Sequence, residues 1–348
     1  MDPPVPAPAR TRAAAPAVEW DGCRLRVLDQ TALPERERVI ELRSAAEVAS
    51  AIRRLAVRGA PLIGVAAGYG LAMDAARVPS DEAIDVAASG LRAARPTAAN
   101  LGWAVERVRR AAVSVPPPHR AAAARAEAET IEAENAADGA EMADRAAELL
   151  EGARRLLTHC NTGELACGAR GSALGVVLAM AERRPDVHVL VCETRPLLQG
   201  ARLTTWELAR RGIDHELIVD AAAAGLIRAG EVDAVVVGFD RAAANGDVAN
   251  KVGTYGHALA ARAAGIPFVF AGPMSSIDPT LRSGDEITIE ERDPDEVRRV
   301  GDRLLAPPGT PCRNPAFDIT PAELITALVT ERGVARPVNR ETMAALAR

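Results

Sequence analysis

Lysine is almost absent from this chain. Among 42 basic residues, Lys251 is the one lysine and the rest are arginine. A compositional pressure has put guanidinium wherever positive charge alone sufficed. One reading of the surviving ammonium is a site that needs a compact point donor or a shiftable pKa, which arginine does not offer. The other reading is a lysine left by chance. Aromatic residues make up 3% of the chain, its net charge is −5, and no basic patch with interleaved aromatics occurs, which argues against a nucleic-acid surface. No apolar run approaches the roughly 18 residues that read as a membrane span.

Cysteine pairing motifs are missing too. Cys23, Cys160, Cys167, Cys192 and Cys312 are odd in number and form no CxxC pair, so neither a disulfide framework nor a zinc site is supported, and a reducing cytoplasm fits. His188, His215 and His257 show no spacing suited to a metal. Gly163, Gly168, Gly171 and Gly175 do not make a GxGxxG fingerprint, which leaves nicotinamide binding unsupported. Met1 to Ala15 is rich in Pro, Ala and Arg without an apolar h-region, and is expected to be a flexible tail (residues 1–15) instead of a signal peptide.

What is present is a 348-residue chain with 48% hydrophobic residues, long enough for two domains and a sizeable core. Residues 18–27 read as a short strand or hairpin. Ser44-Ala-Ala-Glu47 reads as a capping box for a helix through Ala56. Val57-Arg-Gly-Ala-Pro61 precedes another helix start, where free N–H groups beside Arg58 would cradle an oxyanion or phosphate; a loop arginine before an ordinary helix is the alternative. Arg95 stands in a similar place, before a helix running to about Val113. Helical residues 119–152, with an expected interruption near Asn135 to Gly139, link the two halves.

From Arg154 onward short apolar runs alternate with helix-length segments. Strands are expected at 155–158, 187–192, 216–219, 232–237 and 266–270, with helices at about 164–183, 199–211, 221–228 and 250–264, the pattern of a doubly wound parallel sheet. Ligands of such sheets bind at the carboxyl edge. Four of the five strands deliver polar residues there: His159-Cys160-Asn161, Glu193-Thr194-Arg195, Asp220, and Asp240-Arg241. Asn245-Gly246-Asp247 is read as a turn before the helix carrying Asn250 and Lys251. Residues 284–292 are expected to be extended, Thr320 to cap a helix beginning at Pro321, and the last residues to pack loosely.

Cys160, in a polar turn before a helix start, would have a lowered thiol pKa and act as nucleophile or base, or be a packed small residue. Asp240 would be a general acid/base, or a structural ion pair, with Arg241 and Lys251 as charge partners. His159 is expected to hydrogen-bond its own loop, and Cys167, Cys192 and Cys312 to be packing residues.

Taken together, Arg58-Gly-Ala-Pro, Arg95-Pro-Thr-Ala-Ala-Asn, Thr158-His-Cys-Asn-Thr-Gly, Glu193-Thr-Arg-Pro, Gln199-Gly-Ala-Arg-Leu-Thr, Gly238-Phe-Asp-Arg, Asn245-Gly-Asp-Val-Ala-Asn-Lys-Val-Gly-Thr-Tyr255 and Asn314-Pro-Ala-Phe-Asp resemble the S-methyl-5-thioribose-1-phosphate isomerases of methionine salvage. These are catalytic relatives of the regulatory subunits of translation initiation factor 2B. The resemblance covers nearly everything from Trp20 to Val334. It implies an α/β protein with a mostly helical N-terminal domain (16–126) carrying a small sheet, a Rossmann-like C-terminal domain (127–348) and a homodimer. It places the catalytic pair on Cys160 and Asp240, and substrate contacts on Arg58, Gly59, Ala60, Arg95, Gln199, Asn250 and Lys251. Phe239, beside Asp240, stands where many relatives carry alanine, and Cys167 where threonine is usual. The implied reaction is an aldose-to-ketose isomerisation of a ribose 1-phosphate, by an enediolate or a hydride shift, with no metal or organic cofactor. Two other functions remain open at this point: an isomerase of 5-deoxyribose 1-phosphate or ribose 1,5-bisphosphate, and a regulatory subunit sensing a nucleotide or sugar phosphate.

Overall fold

The computed structural model describes residues 16–96 and 98–347; the tail expected at 1–15 lies outside them. The chain opens with a three-stranded antiparallel sheet, β1 (Val18–Trp20), β2 (Leu25–Leu28) and β3 (Val39–Leu42). Helix α1 (Ala45–Arg53) follows. Ser44 Oγ accepts the Glu47 N–H as expected, but Glu47 turns its carboxylate to the Arg43 N–H, so the cap is one-sided.

Helix α2 (Ala60–Arg77) is apolar on nearly every face and becomes the axis of the helical half. Around it pack α1, α3 (Asp81–Arg92), α4 (Ala99–Val113) and α5 (Arg120–Leu149). Helix α5 is unbroken, contrary to the interruption expected near Asn135 to Gly139. Those small and polar residues mark a contact instead. Asn135 Nδ2 donates to the Cys167 carbonyl, and a Cβ on Gly139 would lie 3.0 Å from the Gly171 carbonyl oxygen. The first half of α5 joins the core around α2 through Ala124, Ala128 and Ile131; the second half joins the core of the large sheet through Ala143, Ala146 and Ala147.

That sheet has seven strands. In chain order they are β4 (Arg155–Thr158), β5 (His188–Cys192), β6 (Asp214–Ile218), β7 (Ala234–Val237), β10 (Phe268–Ala271), β15 (Ala327–Thr330) and β16 (Gly333–Ala335). Their spatial order is β16-β15-β10-β7-β4-β5-β6, parallel except for β16. Alternate residues of each strand face opposite layers. Leu156, Val189 and Val236 meet α5 and α7 (Ala173–Arg183); Leu157, Leu190 and Val235 meet α9 (Ala223–Arg228), α10 (Thr254–Ala264) and α12 (Arg340–Leu346). The strand order reverses between β4 and β7, and at such a switch point the carboxyl edge opens a crevice.

Several local expectations change. The helix expected over 164–183 is two, α6 (Glu164–Cys167) and α7, because the chain between them turns through positive-φ residues Gly168, Ala169 and Gly171. The 199–211 segment opens as a π-helical turn, Gly200–Thr204, before α8 (Thr205–Arg210). Asn245-Gly246-Asp247 does turn the chain, but between two strands: β8 (Arg241–Ala243) and β9 (Val248–Lys251) form a hairpin flanked by β11 (Ile277–Asp278) and β14 (Phe317–Thr320). Asn250 and Lys251 therefore sit on a buried strand, and α10 begins only at Thr254. In place of the extended segment at 284–292, Gly284–Glu286 is a 3₁₀ turn and Glu291 alone bridges, to Pro315. Beyond lie α11 (Asp295–Arg298) and the small hairpin β12 (Arg299–Val300)–β13 (Arg303–Leu304). After Thr320 there is a 3₁₀ turn, Ala322–Leu324, in place of a helix. The chain end is firmly packed through β15, β16, Met343 and Leu346.

Candidate active site

The nine residues expected at a site are drawn from both halves of the chain and line one cavity of about 410 Å³. Arg58, Gly59, Ala60 and Arg95 come from the helical half; Cys160, Gln199, Asp240, Asn250 and Lys251 come from the sheet half. Cys160 follows β4 and Asp240 follows β7, the two strands that flank the switch point. Of the polar strand ends, Cys160, Asn161, Asp240 and Arg241 line the cavity, whereas His159, Glu193, Thr194, Arg195 and Asp220 do not. Asp220 accepts the Thr194 and Arg195 backbone N–H groups at 2.8 and 2.7 Å and so shapes the turn after β5.

The Cys160 backbone is held in the left-handed region, φ +66°, where a side chain is uncommon and the surroundings must impose it. Thr194 Oγ1 accepts its N–H at 2.9 Å and Thr204 Oγ1 donates to its carbonyl at 2.7 Å. Cys160 lies four positions ahead of Glu164, the first residue of α6, where the sequence places that helix start.

Lys251 and Asp240 share an enclosed environment. Burial pushes the Lys251 ammonium below its ordinary pKa, with Cys160 and Asp240 pulling the other way. Burial likewise raises the Asp240 carboxyl, against the pull of Lys251, Arg95 and Arg58. Lys251 Nζ donates to the Ala316 carbonyl at 2.8 Å. Arg241, expected to partner Asp240, sits 3.7 Å from Asp278. Arg95 reaches Glu290 at 3.2 Å, and Glu290 also pairs with Arg292 at 2.9 Å. Arg292, which lines the cavity, escaped the sequence reading: its segment reads only as extended chain, with no ligand role for its arginine.

Two buried polar atoms of the lining have no protein partner among the described residues: Arg58 Nε and Gln199 Oε1. Buried polar groups are paired as a rule, so these two are exceptions within the cavity wall. Arg58 Nη1 and Nη2 donate to the Asn161 backbone and side-chain oxygens at 2.8 to 3.1 Å. Gly59, φ +94°, lets the start of α2 press on α6, since a Cβ there would lie 2.2 Å from the Ala166 carbonyl oxygen. Asn250 Nδ2 donates to Thr254 Oγ1 at 2.9 Å. Phe239 is nearly buried in the wall and meets Phe270 edge-on at 6.2 Å between ring centres.

His159 does not bond its own loop. Its Nε2 lies 2.9 Å from the Val252 carbonyl, which can only accept, so Nε2 carries the proton and Nδ1 is free to accept from His257 Nε2 at 3.3 Å. Cys192 Sγ is 3.6 Å from the same His257 nitrogen. The trio could hold a soft cation, an arrangement invisible in linear spacing because its members stand on three different elements. As they stand, the two rings satisfy each other. Burial lowers both, His159 to about 4 and His257 to about 3, so both are neutral at pH 7. Cys167 is enclosed and packed as expected, its thiol pushed up to about 11 by burial. Cys312 is half-buried with Sγ near the Thr310 carbonyl.

The description "Initiation factor 2 subunit family" matches residues 56–337. A methylthioribose-1-phosphate isomerase of Anaeromyxobacter sp. (strain K) is 50% identical over 332 residues, which is 95% of this chain and 96% of that protein. The crystal structure of 5-methylthioribose 1-phosphate isomerase from Pyrococcus horikoshii OT3 superposes with a TM-score of 0.89 at 38% identity, covering 100% of this chain and 99% of that one. A structure titled translation initiation factor eIF-2B, subunit delta, from A. fulgidus superposes at 0.85 with 40% identity, covering 95% of this chain and 100% of that one.

Proposed function

The chain belongs to the initiation factor 2 subunit family, and from that premise we infer that it is an aldose–ketose isomerase of methionine salvage. It converts S-methyl-5-thio-α-D-ribose 1-phosphate to S-methyl-5-thio-D-ribulose 1-phosphate. The observation that carries this reading is the placement of Cys160 and Asp240 at the ends of neighbouring strands on one cavity, with Lys251 coupled electrically to both.

The chemistry follows from the substrate. Phosphate blocks the anomeric oxygen, so the ring opens only if its oxygen is protonated while the phosphate is held still. Asp240, kept protonated more readily by its enclosure, gives that proton as the C1–ring-oxygen bond breaks. Hydrogen then moves from C2 to C1, and the C2 hydroxyl proton returns to the carboxylate as the ketone forms. Cys160 assists the hydrogen transfer, as a base in the enediolate route or by supporting a hydride shift. Arg58, Arg95 and Lys251 supply the fixed positive field for phosphate and developing charge. Gly59, Ala60, Gln199 and Asn250 complete the substrate's surroundings. Converting the 1-phosphate in D₂O tests the scheme: deuterium at C1 marks the enediolate, and full retention of the substrate hydrogen marks the hydride shift. No turnover of this sugar would overturn the function. Assays of 5-deoxyribose 1-phosphate and ribose 1,5-bisphosphate beside it define the substrate.

The likeness to a protein titled as a delta subunit supports a second reading, a regulatory sugar-phosphate or nucleotide sensor. Retention of both Cys160 and Asp240 on the cavity favours the enzyme, and turnover by the purified chain alone decides between them. We further propose a homodimer in the cytoplasm with domains at 16–126 and 127–348. The exposed pair Tyr255 and Leu259, one turn apart on α10, and the free cysteines are consistent with it. No helix among the described residues is long and apolar enough to cross a membrane. Sedimentation analysis reads the oligomeric state.

A further inference from the structure

Glu207 stands on α8, 4% exposed and behind the cavity wall. An enclosed carboxylate is tolerated only when its oxygens meet donors. Here Asn161 Nδ2 donates to Oε1 at 2.7 Å and the Glu164 N–H to Oε2 at 2.7 Å. A Cβ on Gly163 would lie 2.3 Å from Oε2, so the carboxylate occupies the space that glycine leaves. On its other side Asn161 receives Arg58, whose Nη2 donates to Oδ1 at 2.9 Å.

The polarity of this chain is set at both ends. A guanidinium only donates, and the ionised Glu207 carboxylate, facing two N–H groups, only accepts. The amide between them must turn its oxygen to Arg58 and its nitrogen to Glu207. We propose that Glu207 is a positioning residue for the Arg58 guanidinium, acting through Asn161, so that the guanidinium is held at the cavity wall for the anionic group of the substrate. This rests on the reading of Arg58 as an anion-binding residue. Asn161 Nδ2 also reaches Thr204 Oγ1 at 3.2 Å, and Thr204 holds the Cys160 carbonyl, which ties the same amide to the reactive turn.

A merely structural Glu207 would cap α6 through the Glu164 N–H and nothing more. The two roles separate under substitution. In Glu207→Gln the new NH₂ must meet either the Glu164 N–H or Asn161 Nδ2, donors both. If Asn161 flips to accommodate it, Arg58 meets an NH₂, loses its side-chain bond and keeps only those to the Asn161 backbone carbonyl. The double variant Glu207→Gln with Asn161→Asp restores the polarity: glutamine donates to the new carboxylate, which accepts from Arg58, and the glutamine oxygen still serves Glu164.

The test measures binding of inorganic phosphate by calorimetry together with kcat and KM. For Glu207→Gln, phosphate affinity is expected to fall and KM to rise about tenfold, with kcat within about threefold of the parent, the size of one lost charge-assisted hydrogen bond. The double variant is expected to recover most of that loss, and Asn161→Ala to reproduce it should the glutamine variant not fold. Parental phosphate affinity in Glu207→Gln, or a double variant no better than the single, overturns the proposal. Arg58→Ala separates the two layers: if it too binds phosphate normally, the anion reading of Arg58 fails and the proposal falls with it; if it loses phosphate while Glu207→Gln does not, only the link through Glu207 is wrong.

Discussion

Lys251 and Phe317 are directly opposed across the β9–β14 pair, with the ammonium 5.0 Å from the ring centre and Nζ bonded to the carbonyl of Ala316 next door. The ring and the carbonyl together fit one compact cation. A guanidinium keeps the charge but is larger and planar, and spreads it over three nitrogens where the ammonium is a single point.

Lys251→Arg is therefore expected to lower kcat/KM by roughly 10²-fold while melting within a few degrees of the parent. Steady-state kinetics and thermal unfolding check it. Activity near the parental level would mean that the lysine is a compositional accident after all.

Cys160 sits at φ +66°, a conformation that glycine adopts without strain. Cys160→Gly is expected to gain about 1 kcal/mol in urea unfolding and to lose activity by roughly 10²- to 10⁴-fold, the range for loss of a proton-transfer group. Asp240→Asn should lose activity similarly. A Cys160→Gly enzyme that still turns over would assign the thiol to packing.

The carboxyl-edge half of the site was legible because buried parallel strands read as apolar runs, and whatever follows such a run arrives at the same edge. The β8–β9–β14 layer was not, since its strands are short and rich in Ala and Asn, and the turn at Asn245-Gly246-Asp247 serves a hairpin as readily as a helix entry. Lys251 was marked by composition and placed on the wrong element. Arg292 and Glu207 carried no signal: one lies in irregular chain, the other in an ordinary helical stretch, and their meaning arises only from partners far away in sequence. The strand β15 went unread because Ala327-Leu-Val-Thr330 is short and follows a proline turn that mimics a helix start.

Gly59→Ala tests how tightly the halves meet. The substitution places Cβ 2.2 Å from a backbone carbonyl oxygen at φ +94°, and backbone cannot yield as a side chain can. A loss of at least roughly 2 to 3 kcal/mol in unfolding free energy is expected, with weakened phosphate binding because α2 carries Arg58 and Ala60 into the cavity. An alanine variant as stable as the parent would show that α2 and α6 are free to separate.

The buried His159–His257 pair sets the acid limit of stability. Both rings are neutral in the fold, with pKa values near 4 and 3, whereas the unfolded chain titrates near 6.5. Between about pH 6.5 and 4 the unfolded state binds more protons than the native state, so stability falls as pH falls through that window, by an amount of order several kcal/mol for the pair. Glu207 acts oppositely. Burial raises it to about 7, so it favours the fold more as pH falls towards 4.5; Asp138, raised to about 6, and the burial-raised Asp240 and Asp318 act in the same sense, so the net slope is the histidine loss reduced by these gains. His257→Gln keeps an N–H for His159 Nδ1 but removes one titration, and is expected to flatten the acid limb of a urea-unfolding series run from pH 7 to pH 4. Glu207→Gln should steepen it. An unchanged limb in His257→Gln would mean that the ring titrates in the native state as it does in the unfolded chain.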